Sequence, residues 1–395
     1  MRRLLWVTVV VAGCGSVQGN GTTDAPGSSD TAIDGPPPKA PAFIQPAKKF
    51  SPPYGTTGSV AICDFSGDGL PDVVTFDPTN KAGTISVLVS DGHGSFANAQ
   101  SASATNSTAF AISCGLMGNT TEGVAVADAA GDMSLYTSDD TGLPMYFTNY
   151  SFAPGQPPPA PTKGQASAMA VLDTSTTKSY IIEGTDEELI VAAPAAGNNY
   201  TTPGATYLPS TSISGIAVDK LVGSTEQTPD VIAVGTESSS SNVYVLLNNG
   251  SAALGLPAKL PLPAAPTAVA TGDLNGGGVD IVAVTADHVF VFLNKGNGTF
   301  DTTPAHSYLT QATVTAVAVA DFNGDGKLDI ATSSNGTDQV AVLTGNGDGS
   351  FNTPVVFAAG QDVTGIGVAD FNGDGKPDIV VGGFLAMSLL INSTN

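Results

Sequence analysis

A fifteen-residue phrase that returns along the chain limits its fold more tightly than any other feature. AVAVADFNGDGKLDI (316–330) comes back as GIGVADFNGDGKPDI (365–379), and SVAICDFSGDGLPDV (59–73) is a third copy. A fourth, VATGDLNGGGVDI (269–281), is shorter, and weaker versions start near Ala111, Ala168 and Ile216. Seven starts spaced by about 50 residues match the period of propeller blades or solenoid units.

Each clear unit reads in the same way. Alternating Val and small residues (315–320) suit a strand, and an Asp/Gly loop follows. A second strand (328–332) and a third (339–343) come next, then a Gly-rich turn (345–350) and a fourth strand from Phe351. That turn recurs at 91–96 and 295–300. Loops this short make antiparallel hairpins, and four antiparallel strands make a blade. The chain has 47 glycines and 27 prolines, which disfavours helices. Its last unit stops after a third strand (387–391), while Phe43-Ile44-Gln45-Pro46 near the start echoes Phe351-Asn352-Thr353-Pro354. The N-terminal strand would therefore complete the last blade and leave no open edge. The expected fold is all-β: a seven-bladed β-propeller of four-stranded antiparallel blades over 43–395, closed by its N-terminal strand.

The loops carry the chemistry. Asp321, Asn323 and Asp325 hold positions 1, 3 and 5, Gly326 position 6 and Asp329 position 9. Alternate side chains on a tightly turning backbone converge, and all the ligating atoms are oxygen. A flexible oxygen cage suits calcium better than magnesium. Position 7 would add a backbone carbonyl, here from Lys327. The last blade repeats the set as Asp370, Asn372, Asp374, Lys376 and Asp378. The first blade offers Asp64, Ser66, Asp68, Leu70 and Asp72, with only a hydroxyl at position 3. In the fifth, Gly277 replaces the position-5 acid and leaves Asp273, Asn275 and Asp280. The plainer alternative is that these residues only make Asx-turns. Yet three carboxylates so close repel one another unless a cation compensates them. Three calcium sites are expected, with a weaker fourth.

The run Val-Ala-Asp-Phe-Asn-Gly-Asp-Gly-Lys-x-Asp-Ile resembles the FG-GAP or VCBS repeat of integrin α-subunit propellers and many bacterial surface proteins. The resemblance implies a seven-bladed propeller with loop-bound calcium in several blades. It does not imply a ligand, because that family includes adhesins, lectins and non-catalytic parts of enzymes.

Charge and the N-terminus bound the rest. With 35 acidic and 13 basic residues the net charge is −22, which argues against nucleic-acid binding. Met1-Arg2-Arg3, a short apolar run (4–11) and Val11-Ala12-Gly13-Cys14 read as a signal peptide (1–13) ending in a lipobox-like site. Cys14 would then carry lipid, and residues 14–42 would be a Gly/Ser/Pro tether. The expectation is an exported bacterial protein, lipid-anchored at the outer membrane or cell surface and monomeric.

The degenerate middle blades concentrate tyrosine: Tyr136, Tyr146, Tyr150, Tyr180, Tyr200 and Tyr207. These residues either pack blades that lack a calcium loop or form a ligand patch. Cys114 stands where the second blade's first loop aspartate would be. It and Cys63 are either bridged or two buried thiols. No Ser-His-Asp or His/Cys constellation can be assembled from the motifs, so a non-catalytic platform for an unidentified protein or glycan is expected. A lectin-like propeller is the alternative, and a hydrolase or lyase the third reading.

Overall fold

In a computed structural model the residues described are 39–50, 59–76, 84–97, 100–103, 109–116, 122–128, 133–137, 147–148, 166–172, 179–194, 200–222, 228–249, 253–310, 313–360, 363–383 and 386–394. They contain no helix. Seven four-stranded antiparallel sheets follow one another as blades of a β-propeller. Blade 6 is typical: Thr313–Ala320, Asp329–Asn335, Gln339–Leu343 and Val355–Ala358 pair in chain order. Blades 1 to 5 have strands within 60–103, 109–148, 166–207, 211–262 and 266–309. First strands of neighbouring blades touch all the way round, the first strand of blade 7 meeting that of blade 1.

Blade 7 is the closing blade. Its three C-terminal strands, Gly365–Ala369, Asp378–Gly382 and Met387–Leu390, are joined by the N-terminal strand Lys48–Phe50. The register pairs Lys48 with Leu389 and Phe50 with Met387. Phe43 bridges to Asn392 just as Phe351 bridges to Gly345, so the echo between the two Phe-x-x-Pro runs is a structural equivalence. Phe43 is buried and packs edge-on against Phe357 and tilted against Phe322 of blade 6. Main-chain bonds Ile44 N–Ile391 O (2.9 Å) and Ser393 N–Ala42 O (2.7 Å) finish the seam.

Small residues let the blades stand close. A β-carbon at Gly272 of blade 5 would lie 2.9 Å from Leu328 and Val319 of blade 6, and one at Gly367 of blade 7 would lie 2.9 Å from Ile62 of blade 1. The apolar clusters accordingly straddle blade interfaces: Val340, Val342 and Ala331 of blade 6 share a core with Ile366, Ile379 and Leu390 of blade 7. One sequence expectation moves. Cys114 is not at a loop start but inside a strand, Ala109–Leu116, opposite Val124. The pairing of Ala109–Leu116 with Glu122–Asp128 continues to Leu116 opposite Glu122, so these strands run past the point where a calcium-type loop would open.

Candidate metal centres

The acidic loops fold as local hydrogen-bond cages. In blade 6 both Asp321 oxygens accept backbone N–H groups: Oδ1 from Gly324 (2.7 Å) and Asp325 (3.1 Å), Oδ2 from Gly326 (2.8 Å). Asn323 Oδ1 accepts from Asp325 (2.9 Å), and Asp325 Oδ1 from Lys327 (2.9 Å). This curl needs φ of 71° at Gly324 and 83° at Gly326, values that glycine adopts without steric cost. Blade 7 repeats the cage, with Asp370 bound by Gly373, Asp374 and Gly375, Asn372 by Asp374, and Asp374 by Lys376. In blade 1, Asp64 takes Gly67 and Gly69 N–H while Asp68 takes Leu70. Blade 5 keeps a reduced version, Asp273 with Gly276 and Asn275 with Gly277.

Position 9 does something the sequence pattern did not reveal. Asp329 is fully buried at the start of its strand. Its Oδ2 accepts N–H from Phe322 (2.9 Å) and Asn323 (3.2 Å) of the acidic loop, and its Oδ1 from Gly345 (2.8 Å) of the Gly-rich turn. It is a strut between two loops. Asp378 does the same for Phe371 and Asn392, Asp72 for Ser66 and Ser90, and Asp280 for Leu274 and Asn294. A fifth copy, Asp230, binds Leu221 (3.0 Å) and Asn248 (2.7 Å) in blade 4. That blade has no acidic loop: register places Asp219 opposite Asp230 as Ala320 is opposite Asp329, so Lys220 stands at position 1. The phrase Pro229-Asp230-Val231, alike in Pro71-Asp72-Val73, could have disclosed it.

Burial pushes four of these carboxyls up, Asp72 among them, to about 7 for Asp329 and about 6 for Asp280 and Asp378, against the pull of their N–H donors. Asp321 and Asp325 add like-charge repulsion at Asp329. A folded-state value above the unfolded one means that the folded protein holds more protons between pH 4 and 7, so stability falls as pH rises across that window. Asp91, Asp287 and Asp348 are shifted downward by hydrogen bonds and act only at or below about pH 4. In EGTA the melting midpoint is therefore expected to drop by several degrees from pH 5 to pH 7.5. A midpoint that climbs over that range would contradict the strut picture.

Neighbouring loops also bind one another. The position-2 carbonyl of an acidic loop accepts from the following blade: Phe371 O from Gly94 N (2.8 Å), Phe322 O from Asn392 Nδ2 (2.9 Å) and Leu274 O from Gly349 N (3.1 Å). Leu221 O of blade 4 accepts from Asn294 Nδ2 (2.8 Å) in the same way. Blades 6, 7 and 1 are consecutive round the ring, so the three fullest loops form one arc across the closing seam. The chain enters the domain there, the Lys39 ammonium lying beside Gly324.

These loops could hold a hard cation through Asp321, Asn323 and Asp325, Asp370, Asn372 and Asp374, and Asp64 and Asp68. Asp321 Oδ2 and Asp370 Oδ2 each accept a single backbone N–H, which leaves a lone pair on each for an ion. Asn323 is fully buried in its loop, with an amide nitrogen that has no hydrogen-bond partner among the described residues. As folded, no three His, Cys, Asp or Glu side chains among the described residues converge tightly enough to ligate an ion together. Ligation would have to draw the carboxylates of positions 1 and 5 inward.

Where the structure describes them, the clustered tyrosines follow the packing alternative. Tyr136 is fully buried in the core shared by blades 1 and 2, and so offers no surface. Tyr180 and Tyr207 are half-buried against the core of blades 3 and 4, and the Tyr207 hydroxyl accepts Leu254 N–H at 3.0 Å. Tyr146, Tyr150 and Cys14 lie outside the described residues, as does the side chain of Tyr200. Cys63 and Cys114 are joined by a disulfide between blades 1 and 2, with Cα atoms 6.0 Å apart.

Residues 277–332 and 324–381 match the family described as FG-GAP-like repeat. No curated protein sequence matches the chain. Among solved structures, the BBS1N chain crystallised with ARL6DN and soaked with lead is similar at a TM-score of 0.56, with 15% identity over 90% of this chain and 96% of that one. The Dos1 propeller follows at 0.54, with 15% identity over 88% and 81%. An Agrocybe aegerita lectin that recognises non-reducing terminal N-acetylglucosamine reaches 0.52, with 17% identity over 76% and 80%. At such identities the likeness is one of fold.

Proposed function

Because the chain is a seven-bladed β-propeller carrying FG-GAP-like repeats, we propose that it is a calcium-binding, surface-anchored platform that binds a protein partner without catalysis. The observation that carries this reading is the arc of three acidic loops at the closing seam. Each gathers oxygen donors at positions 1 and 5 on a glycine-permitted curl, two have Asn at position 3, and the position-9 carboxylate is committed to the fold. When bound, the ion would cancel the repulsion among these carboxylates. Asp321 and Asp325, Asp370 and Asp374, and Asp64 and Asp68 would hold it, with Asn323, Asn372 and Ser66 and the carbonyls of Lys327, Lys376 and Leu70 as further donors. Anchoring rests on the Val11-Ala12-Gly13-Cys14 site, which would place the propeller beyond a lipidated Cys14 on a tether.

A carbohydrate-binding reading is supported by the lectin among the fold neighbours. Weighing against it, none of the tyrosines with described side chains is exposed: Tyr136 and Tyr244 are buried, and Tyr180, Tyr207 and Tyr308 are half-buried. Aromatic faces are what a sugar ring would stack on. The full chain displayed against a glycan array and a panel of extracellular-matrix proteins, in calcium and in EGTA, separates the two. Calcium-dependent capture by protein with a silent array is expected. Capture by glycans alone would replace this reading with the lectin one, and silence on both would remove the platform.

A further inference from the structure

Five large apolar side chains are exposed among the described residues, and two of them, Leu309 and Val356, meet at one place on the rim. Leu309, 69% exposed, ends the outer strand of blade 5; Val355 and Val356, 38% and 42% exposed, open the outer strand of blade 6. Leu309 and Val356 line a shallow groove between the two blades, with Thr310, Leu343 and Pro354. On the other face of the strand, Phe357 packs 4.9 Å from Phe43.

The backbone beside this groove is an open sheet edge. Ala359 N donates inward to Asp338 O (2.9 Å), and the register pairs Phe357 with Val340 and Val355 with Val342. By antiparallel alternation Val355 and Phe357 turn their peptide groups inward, so Val356 and Ala358 present theirs outward. Proteins usually guard such edges with Lys, Pro or shortness. The other outer strands follow that rule. Lys48–Phe50 has two lysines, Ala258–Leu262 has Lys259 and Pro261, and Tyr200–Tyr207 has Pro203. His306–Leu309 carries an imidazole, Gln100–Ser103 is mostly polar, and Phe147–Thr148 has only two residues. Val355–Ala358 alone is wholly apolar, with no polar or charged side chain of its own and only Pro354 just before it.

We propose that Val355–Ala358 is an interface between two copies of this chain, paired antiparallel, edge to edge. The choice of a second copy rests on charge and self-complementarity. The ten residues from Phe351 to Gly360 carry no charge, in a chain of net −22, so two acidic rims can approach here without opposed carboxylates. A two-fold pairing brings the same patch to itself, giving Val356 and Ala358 of each copy a main-chain partner and covering Leu309. Four residues span only about 13 Å, so the contact stays below the ~1,000 Å² of a lasting interface and the dimer is weak. This replaces the monomer expected from sequence alone.

Sedimentation velocity of the purified full chain at roughly 10 and 500 µM, with melting midpoints alongside, decides the matter. The wild type is expected to shift from monomer toward dimer across that range. Val356→Lys, which installs the guard that Lys259 provides on blade 4, is expected to stay monomeric with an unchanged midpoint. Leu256→Lys, at an exposed site between the third and fourth strands of blade 4, should dimerise like the wild type. A wild type that remains monomeric at the higher concentration overturns the proposal, even if some other extended peptide occupies the edge. So does a folded Val356→Lys chain that dimerises as the wild type does.

Discussion

Asp329→Ala is expected to destabilise the domain by about 3–5 kcal/mol, in EGTA as much as in calcium. The reason is geometric. Removing the carboxylate leaves the N–H groups of Phe322, Asn323 and Gly345 without their acceptor. Each buried orphan costs about 1–3 kcal/mol, reduced where water can enter. Phe322 lies beneath the loop, fully buried, and its carbonyl also holds Asn392 and Thr394 of blade 7. Loss of the strut therefore loosens a blade junction as well as a loop. Asp325→Ala makes the contrast. It frees one exposed N–H, that of Lys327, and should matter chiefly when calcium is present. Urea melts of both variants, each with and without EGTA, read the difference. An Asp329→Ala chain as stable as the wild type in EGTA would show that position 9 serves only the metal.

Deleting residues 39–50 is expected to abolish the single cooperative melting transition. The deletion takes away the outer strand of blade 7, the buried Phe43 and the seam bonds to Ile391 and Ser393. Phe43 alone joins Phe322 and Phe357 across two blades, and a buried Phe truncated to Ala costs about 3–5 kcal/mol. The deletion also uncovers Met387–Leu390, a fully buried strand, as a new apolar edge. Circular dichroism melts and size-exclusion profiles should show early unfolding and association. A truncated chain that melts sharply at the wild-type midpoint would mean that the ring does not depend on this strand.

Much of the fold was legible because the repeat is written in backbone chemistry. Asp-x-Asn-x-Asp-Gly curls a loop wherever it occurs, and Val/Ala alternation makes the strands beside it. The unequal ends, Phe43-Ile44-Gln45-Pro46 against a blade with three strands, gave the closure. What stayed hidden depends on three-dimensional neighbours. The ligand-like spacing of Asp329, Asp378, Asp72 and Asp280 is also the spacing that aims a carboxylate at two backbone loops. Sequence alone cannot tell these roles apart, and Asp230 escaped because Lys220 broke the rest of its motif. Tyr136 could be assigned neither to core nor to surface because composition carries no facing. Its place opposite Val124 in a buried hairpin is a matter of register. The inter-blade carbonyl latches could not be read at all, since their donors lie in the next repeat.

In the proposed function the three acidic loops at the seam hold calcium and thereby tighten the ring. Isothermal titration of calcium into the EDTA-stripped full chain at pH 7.5 tests it most directly. About three equivalents are expected to bind and to raise the melting midpoint on saturation, both effects reduced by Asp325→Asn with Asp374→Asn. No heat of binding, with a midpoint indifferent to calcium, would contradict it and leave the loops as hydrogen-bonded turns.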